Sequence, residues 1–348
     1  MKNFNFLFIS TFLFILVFLF GCLGQTQPQS EEVPYVPKNI NQTQPQEYPT
    51  TPQIQKSAYP LKNFELSFLN VGFGDATLIL SKNKTILIDV GPANSINLLF
   101  AELQRRDIKK IDLLVLSALH DQTFSGGLKD ILTTYEIDEI WLNSKESFLP
   151  YLPYISNKTT IKEVSLGSIY TFENLKLVVL NPSEGKIYNP DADSIVLKIS
   201  YNDLCAILFS KSEASGASTS DPGTVFGGVD NKIILKAREI QESLRCDILK
   251  VSNHGSGNAA SFQLLDEVKP KIAIISVGPN EQKLYPNPTT LRRLALKSIP
   301  IYTTNRLGSI IISSKDGIDY TINTDFPYDI EYAKFLNEVI ESTRPYWG

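Results

Sequence analysis

The sequence predicts an α/β fold in which two β-sheets lie between layers of helices. Two observations carry this. Short apolar runs of strand length recur along most of the chain, some alternating with polar residues and some continuous. Amphipathic helical stretches separate these runs into groups, so each group can form part of a sheet with helices covering it.

FELSFLNV (64–71), ATLIL (76–80) and TILIDVG (85–91) read as strands divided by turn residues. A helix follows with Ile96, Leu99, Phe100 and Leu103 on one face and Asn94 or Ser95 as its cap. IDLLVLSA (111–118) is apolar at successive positions, the pattern of a strand buried on both faces. A helix over about 127–135 and the strand IDEIWLN (137–143) come next. KLVVLN (176–181), SIVLKISY (194–201) and LCAILFS (204–210) read as antiparallel neighbours across tight turns. The Gly/Ser-rich stretch 212–228 reads as a loop, and a helix then leads into CDILKVSNHGS (246–256). KIAIISVG (271–278), IPIYTT (299–304), GSIIISS (308–314) and IDYTIN (318–323) complete the strands. A last helix presents Tyr332, Phe335, Leu336 and Val339 on one face.

The N-terminus has a different character. Lys2 precedes an apolar run from Phe6 to Phe20 that closes on LFGC, the pattern of a secretory signal rather than a membrane span. LFGC resembles the lipobox of prokaryotic lipoproteins, which implies lipidation at Cys22; an uncleaved N-terminal anchor is the alternative, and either reading places the rest of the chain outside the cytoplasm. Residues 23–60 are rich in Gln, Pro and Thr, too poor in aliphatic side chains to offset ordering entropy, and read as a disordered tether. As a coil of that length it reaches roughly 35 Å. The expected organisation is a lipoprotein-type signal at 1–22, the tether at 23–60, a folded domain at 61–325 and a C-terminal helix at 326–348 packed on it. Outside the cytoplasm Cys205 and Cys246 can form a disulfide, although two buried thiols fit the same sequence.

The net charge of −4 disfavours a broad nucleic-acid-binding surface, so any such face has to be local. Lys283, Arg292, Arg293 and Lys297 offer one candidate patch, with Arg293 and Lys297 at i, i+4 on a helix. The chain holds two histidines, His120 and His254, which caps any histidine-based site.

Read in order, the turns resemble the metallo-β-lactamase fold and, within it, the external domain of ComEC-type competence proteins. NVGFGDA (70–76) is similar to that group's N/D-V-G-Q-G-D-A, with Phe73 in place of Gln. TILIDVG, the strand and Gly-Gly of LLVLSALHDQTFSGGL (113–128), DADSIVLKI (191–199), DILKVSNHGS (247–256) and ISVGPNEQKLYPNPTTLRRL (275–294) match the later motifs. The resemblance implies a four-layer αββα sandwich with mixed, mainly antiparallel sheets, covering about residues 64–323.

It also implies a zinc or manganese site in which a metal-bound water becomes the nucleophile. Here the ligands are mostly replaced while the frame around them is kept. Aligned from the strand, the H-x-H-x-D-H positions fall on Ala118, His120, Gln122 and Thr123. Counted back from Gly126 they fall on Leu119, Asp121, Thr123 and Phe124. Gly-Asp becomes Ser210-Lys211, the first of the paired histidines becomes Asn253, and H-P-H-P reads Tyr285-Pro286-Asn287-Pro288. The catalytic candidates that remain are His120, Asp121 and His254, with His120 and His254 giving at most a weak metal site. Asp75, Asp89, Asn253, Ser256, Tyr285 and Asn287 are the binding candidates. Asp89 can alternatively cap neighbouring backbone N–H groups.

The expected function is that of a membrane-anchored extracytoplasmic binding or accessory protein without a cofactor. Its expected partners are the membrane, through the lipid anchor, and nucleic acid or a competence or transport membrane protein. The alternative is a working metal-dependent nuclease or phosphodiesterase with a non-standard ligand set, requiring zinc or manganese. The sequence does not identify the small-molecule substrate.

Overall fold

The computed structural model of the chain describes residues 63–183, 191, 193–212, 229–279 and 285–341. The signal segment with Cys22, the tether, most of the Gly/Ser-rich stretch and Lys283 lie outside the described residues. All the described residues fall in one contact unit, Pro52–Gly348, and none of their helices is long and apolar enough to cross a membrane.

The chain opens with β1 (Phe64–Phe68), β2 (Thr77–Ser81) and β3 (Lys84–Ile88), followed by α1 (Ile96–Arg105). Ser95 occupies the cap position of α1 without a side-chain capping bond. Then come β4 (Lys110–Leu116), the short α2 (Gln122–Ser125), α3 (Leu128–Thr134), β5 (Glu136–Leu142), α4 (Lys145–Phe148) and β6 (Thr160–Glu163). The second half contains β7 (Ile169–Phe172), β8 (Leu175–Asn181), β9 (Val196–Tyr201), β10 (Leu204–Leu208) and α5 (Val229–Glu239). It continues through β11 (Ile248–Lys250), α6 (Phe262–Val268), β12 (Ile272–Ile275), α7 (Pro288–Leu296) and β13 (Ile301–Thr303). The last elements are α8 (Thr304–Leu307), β14 (Ile310–Ser314), β15 (Thr321–Thr324) and α9 (Ile330–Glu341).

One sheet has the order β15-β14-β1-β2-β3-β4-β5-β6 and the other β13-β12-β11-β10-β9-β8-β7. Both are mixed, with four of seven strand pairings antiparallel in the first sheet and three of six in the second. Each is antiparallel on one side and parallel on the other, the changes falling at β3 and β10. Tight turns join β2 to β3, β7 to β8 and β9 to β10, and such turns reverse the chain. Helical crossovers follow β3, β4, β5, β10, β11 and β12, and a crossover returns the next strand parallel to the last.

The central strands of the first sheet are buried on both faces. In β4, Leu113 and Val115 join the core between the sheets, while Ile111, Leu114 and Leu116 pack on the other side with Leu99 and Leu103 of α1 and Leu128 and Ile131 of α3. That two-sided burial is why the run is apolar at every step. Across the sandwich, Leu177, Val179, Leu197, Ile199 and Leu208 face the first sheet, and helices α5, α6 and α7 cover the second with Ile233, Leu264 and Leu291. The layers therefore run helix, sheet, sheet, helix, the αββα arrangement of the metallo-β-lactamase fold.

Helix α9 docks through buried Tyr332 and Leu336, and the Tyr332 hydroxyl donates to the Ile301 carbonyl at 3.0 Å. The side chain of Val339 is outside the described set. Cys205 and Cys246 are disulfide-bonded, joining β10 to the segment entering β11. Arg293 departs from expectation. It is 1% exposed and donates to the carbonyls of Gly257, Ala259 and Ala260 and to Thr290 Oγ1, so it does not share an exposed face with Lys297.

Candidate functional site

The loops at one end of the two sheets are tied to one another through their backbones. Asp75 N–H donates to the Thr123 carbonyl at 2.9 Å, Val90 N–H to Phe124 at 2.8 Å, Asn253 N–H to Ser210 at 2.6 Å and Asn287 N–H to Gly255 at 2.7 Å. Gly278 has to be glycine for this closure, since a Cβ there would lie 2.1 Å from the Phe73 nitrogen. These loops hold Asp75, Asp89, Asp121, Asn253, His254, Ser256, Tyr285 and Asn287, brought to one end of the sandwich by segments far apart in sequence.

The floor of the site is a buried charge layer. Asp75 Oδ2 lies 2.9 Å from Lys250 Nζ, whose side chain is as buried as the carboxylate. The contact has the distance of an ion pair without the angles of a directed hydrogen bond, and Asp75 Oδ1 has no hydrogen-bond partner among the described residues. Lys250 also donates to the Phe209 carbonyl at 3.0 Å. Asp89, at a left-handed φ of 59°, accepts from Ser117 N–H at 2.8 Å and from the Ser117 hydroxyl at 2.5 Å. This is the capping role that the sequence allowed for it. Burial pushes the Asp89 carboxyl up to about 7, against the Ser117 hydrogen bonds, with the nearby Asp75 charge adding to the rise. Beside it Asp89, Ser117, Ser210 and Lys250 line a cavity with room for about one water molecule.

Above the floor, His254 occupies a left-handed position (φ 54°) in the turn Asn253–Gly255 that follows β11. Its Nδ1 is 2.9 Å from the Ser276 carbonyl oxygen, which can only accept, so Nδ1 carries a proton. Its Nε2 is 3.1 Å from Thr123 Oγ1, and that hydroxyl is also 2.7 Å from Asp121 Oδ1. Phe73 lies against the imidazole with ring centroids 4.5 Å apart, and Phe124 and Tyr285 flank it at 5.3 and 6.3 Å. Burial among these rings lowers the His254 pKa, opposed by the Asp75 charge and the Ser276 hydrogen bond.

Asp121 caps α2 by accepting from Thr123 N–H, and its Oδ2 lies 2.9 Å from Lys211 Nζ. Lys211 Nζ is also 3.2 Å from Asn253 Oδ1. Burial works to raise the Asp121 carboxyl, but bonds from Thr123 and Lys211 outweigh it and hold the group below the usual carboxylate range. Of the two alignments of LLVLSALHDQTFSGGL, the geometry follows the one counted back from Gly126. Asp121, Thr123 and Phe124 face the site, whereas His120 turns outward and pairs with Asp191 at 2.7 Å.

The other candidates are placed as follows. Ser256 is buried, its carbonyl accepting from Thr290 and its hydroxyl without a partner among the described residues. Asn287 caps α7 through Thr289 N–H at 2.9 Å. Tyr285 packs on Phe73. The proposed basic patch does not form as such, because Arg293 is interior and Lys297 pairs with Asp266. The sequence reading missed Lys211, Thr123 and Ser276 as site residues. The one available signal was the charge reversal at Ser210-Lys211 where the resemblance has Gly-Asp.

The residues present do not fit a dinuclear zinc or manganese centre. His254 Nδ1 is committed to Ser276 and its Nε2 is covered by Thr123 Oγ1 at 3.1 Å, His120 faces another partner, and an ammonium sits on the Asp121 carboxylate. Among the described residues no three His, Cys, Asp or Glu side chains are grouped to hold a metal ion.

The chain matches no protein-family model. It is similar to ComE operon protein 3 of Bacillus subtilis, 22% identical over 288 residues that make up 76% of this chain and 35% of that protein. It is also similar to Recombination protein 2 of Haemophilus influenzae, 27% identical over 235 residues, 66% of this chain and 26% of that protein. The match thus spans about a third or less of either relative. Solved structures of similar outline include the metallo-β-lactamase fold protein YhfI from Bacillus subtilis, with TM-score 0.47 and 11% identity over 75% of this chain and 100% of that one. A diphosphatase of the PhnP family gives TM-score 0.45 and 12% identity, covering 73% and 100%.

Proposed function

We propose that this chain is a membrane-anchored, extracytoplasmic protein related to the ComEC-type competence proteins, which binds rather than hydrolyses and acts as an accessory in DNA uptake. The observation that carries this reading is the divergence of the two histidines. His254 is held at Nδ1 by Ser276 and has Thr123 Oγ1 against Nε2, and His120 pairs with Asp191, so the chain's imidazoles do not converge on a metal-bound water. Sequence similarity to ComE operon protein 3 supports the competence link, and the LFGC pattern at Cys22 supports the anchor. Because fold alone does not set function, the binding role rests on the chemistry of the site.

The test offers the purified protein end-labelled single- and double-stranded DNA, with EDTA and with added manganese or zinc. The expected result is retention of intact DNA that weakens as salt rises, with no strand cleavage under any condition. Cleavage that appears with metal and disappears with EDTA would overturn the reading in favour of a hydrolase. Replacing Cys22 by Ser is expected to release the protein from membranes into the soluble fraction.

A further inference from the structure

We infer that the Lys211 ammonium is a built-in cation that stands where this fold otherwise places metal, neutralising Asp121 and joining three loops. The inference rests on the metal-free reading above and adds the group that makes such a state stable. Lys211 follows the end of β10, Asp121 opens α2, and Asn253 lies in the turn after β11. One nitrogen reaches both acceptors, at 2.9 Å to Asp121 Oδ2 and 3.2 Å to Asn253 Oδ1. A bound metal would make the same kind of link between these segments, with a larger charge.

Two features separate this contact from an ordinary surface ion pair, which contributes little. Both side chains are largely withdrawn from water, at 21% and 17% exposure. The Asp121 carboxylate is also fixed on its other oxygen by Thr123 N–H and Oγ1, and so cannot turn to solvent if the lysine is removed. An anion held in this way needs a cation beside it. With the ammonium in place, a dication would meet a like charge at the same carboxylate. Removing the lysine therefore has two consequences: the loops loosen, and the remaining carboxylate becomes able to attract a metal ion.

The test compares the full-length chain, in detergent, with Lys211→Arg, Lys211→Met and Lys211→Asp. Melting midpoints are taken in EDTA and in excess manganese or zinc, and metal content is measured after desalting. The wild type and the Arg variant are expected to melt alike and to ignore both EDTA and metal. The Met variant should melt lower by roughly 5 °C or more. The Asp variant should melt lower in EDTA, recover with metal and retain it. If the Met and Asp variants melt with the wild type and ignore metal, the lysine is an ordinary ion pair and the inference falls alone. If the wild type itself carries stoichiometric metal after desalting, both the inference and the metal-free reading fall. The Arg variant separates charge from packing, since a loss equal to that of Met would also overturn the proposal.

Discussion

Lys250 Nζ lies 2.9 Å from Asp75 Oδ2 with both side chains almost wholly buried, a single ion pair linking the loop before β2 to the end of β11. Removing one member leaves the other charge in a medium that solvates it poorly. Lys250→Met should therefore cost about 3–5 kcal/mol of unfolding free energy, read by urea denaturation. The double substitution Asp75→Asn, Lys250→Met should cost clearly less than that single change, because no orphan charge remains. Equal losses in the single and double variants would show that the lysine acts by its packing and its bond to Phe209, not by its charge.

Asp89 sets a pH dependence of unusual sign. Burial raises its folded pKa to about 7, above the unfolded value near 3.9, so the folded state holds the proton more tightly. Its contribution to stability is present below the unfolded value and is lost as pH rises from about 4 to about 7, at roughly 1.4 kcal/mol for each pH unit crossed. Asp89→Asn keeps an acceptor for Ser117 N–H and gives the Ser117 hydroxyl a donor. The variant should gain on the wild type progressively over that interval, measured by denaturation at several pH values. A difference that stays constant from pH 4 to 7 would contradict the raised pKa.

The fold was readable wherever burial is two-sided or strictly alternating. IDLLVLS is apolar at successive positions because Leu113 and Leu114 enter different cores, and the helix of Leu99 and Leu103 carries its 3.6-residue stripe for the same reason. Strands β6 and β7 escaped notice because TIKE and IYTF sit at sheet edges, half or more exposed, with no apolar pattern to mark them. At the site, Asp89 as a capping carboxylate was legible from its strand-end position. Lys211 was not, because a lysine at a ligand position reads as a loss until its nitrogen is seen between Asp121 and Asn253. The choice between the two alignments of the 113–128 segment was likewise closed to sequence. A one-residue shift moves either His120 or Asp121 inward, and only the contacts of Thr123 and Phe124 with His254 decide it.

His254 should give the opposite slope to Asp89. Burial depresses its folded pKa below the ordinary 6.5, so the unfolded chain binds the proton more readily. Stability that is full above pH 6.5 should fall as the solution is acidified below that value. His254→Phe keeps a ring against Phe73 and Phe124 but removes the titrating group. It should be less stable than the wild type at pH 7, through loss of the Ser276 bond, and the gap should narrow toward pH 5. Comparing each variant with the wild type at matched pH separates this effect from that of Asp89, which runs the other way between about 4 and 6.5. A gap that widens on acidification would mean that the buried imidazole is charged.

The disulfide between Cys205 and Cys246 closes a separation of 41 residues and joins the parallel side of the second sheet to its antiparallel side. A cross-link over a loop of this size removes unfolded-chain entropy worth about 2–4 kcal/mol. The wild type should therefore unfold at lower urea when the titration contains a reductant. Cys205→Ser, Cys246→Ser should unfold at that lower midpoint and show no response to reductant. Alkylation of the denatured, unreduced protein should leave both cysteines unmodified, and the same protein after reduction should gain two adducts. If both thiols alkylate without reduction, the pair is two buried thiols and the reductant should leave the wild-type midpoint where it was.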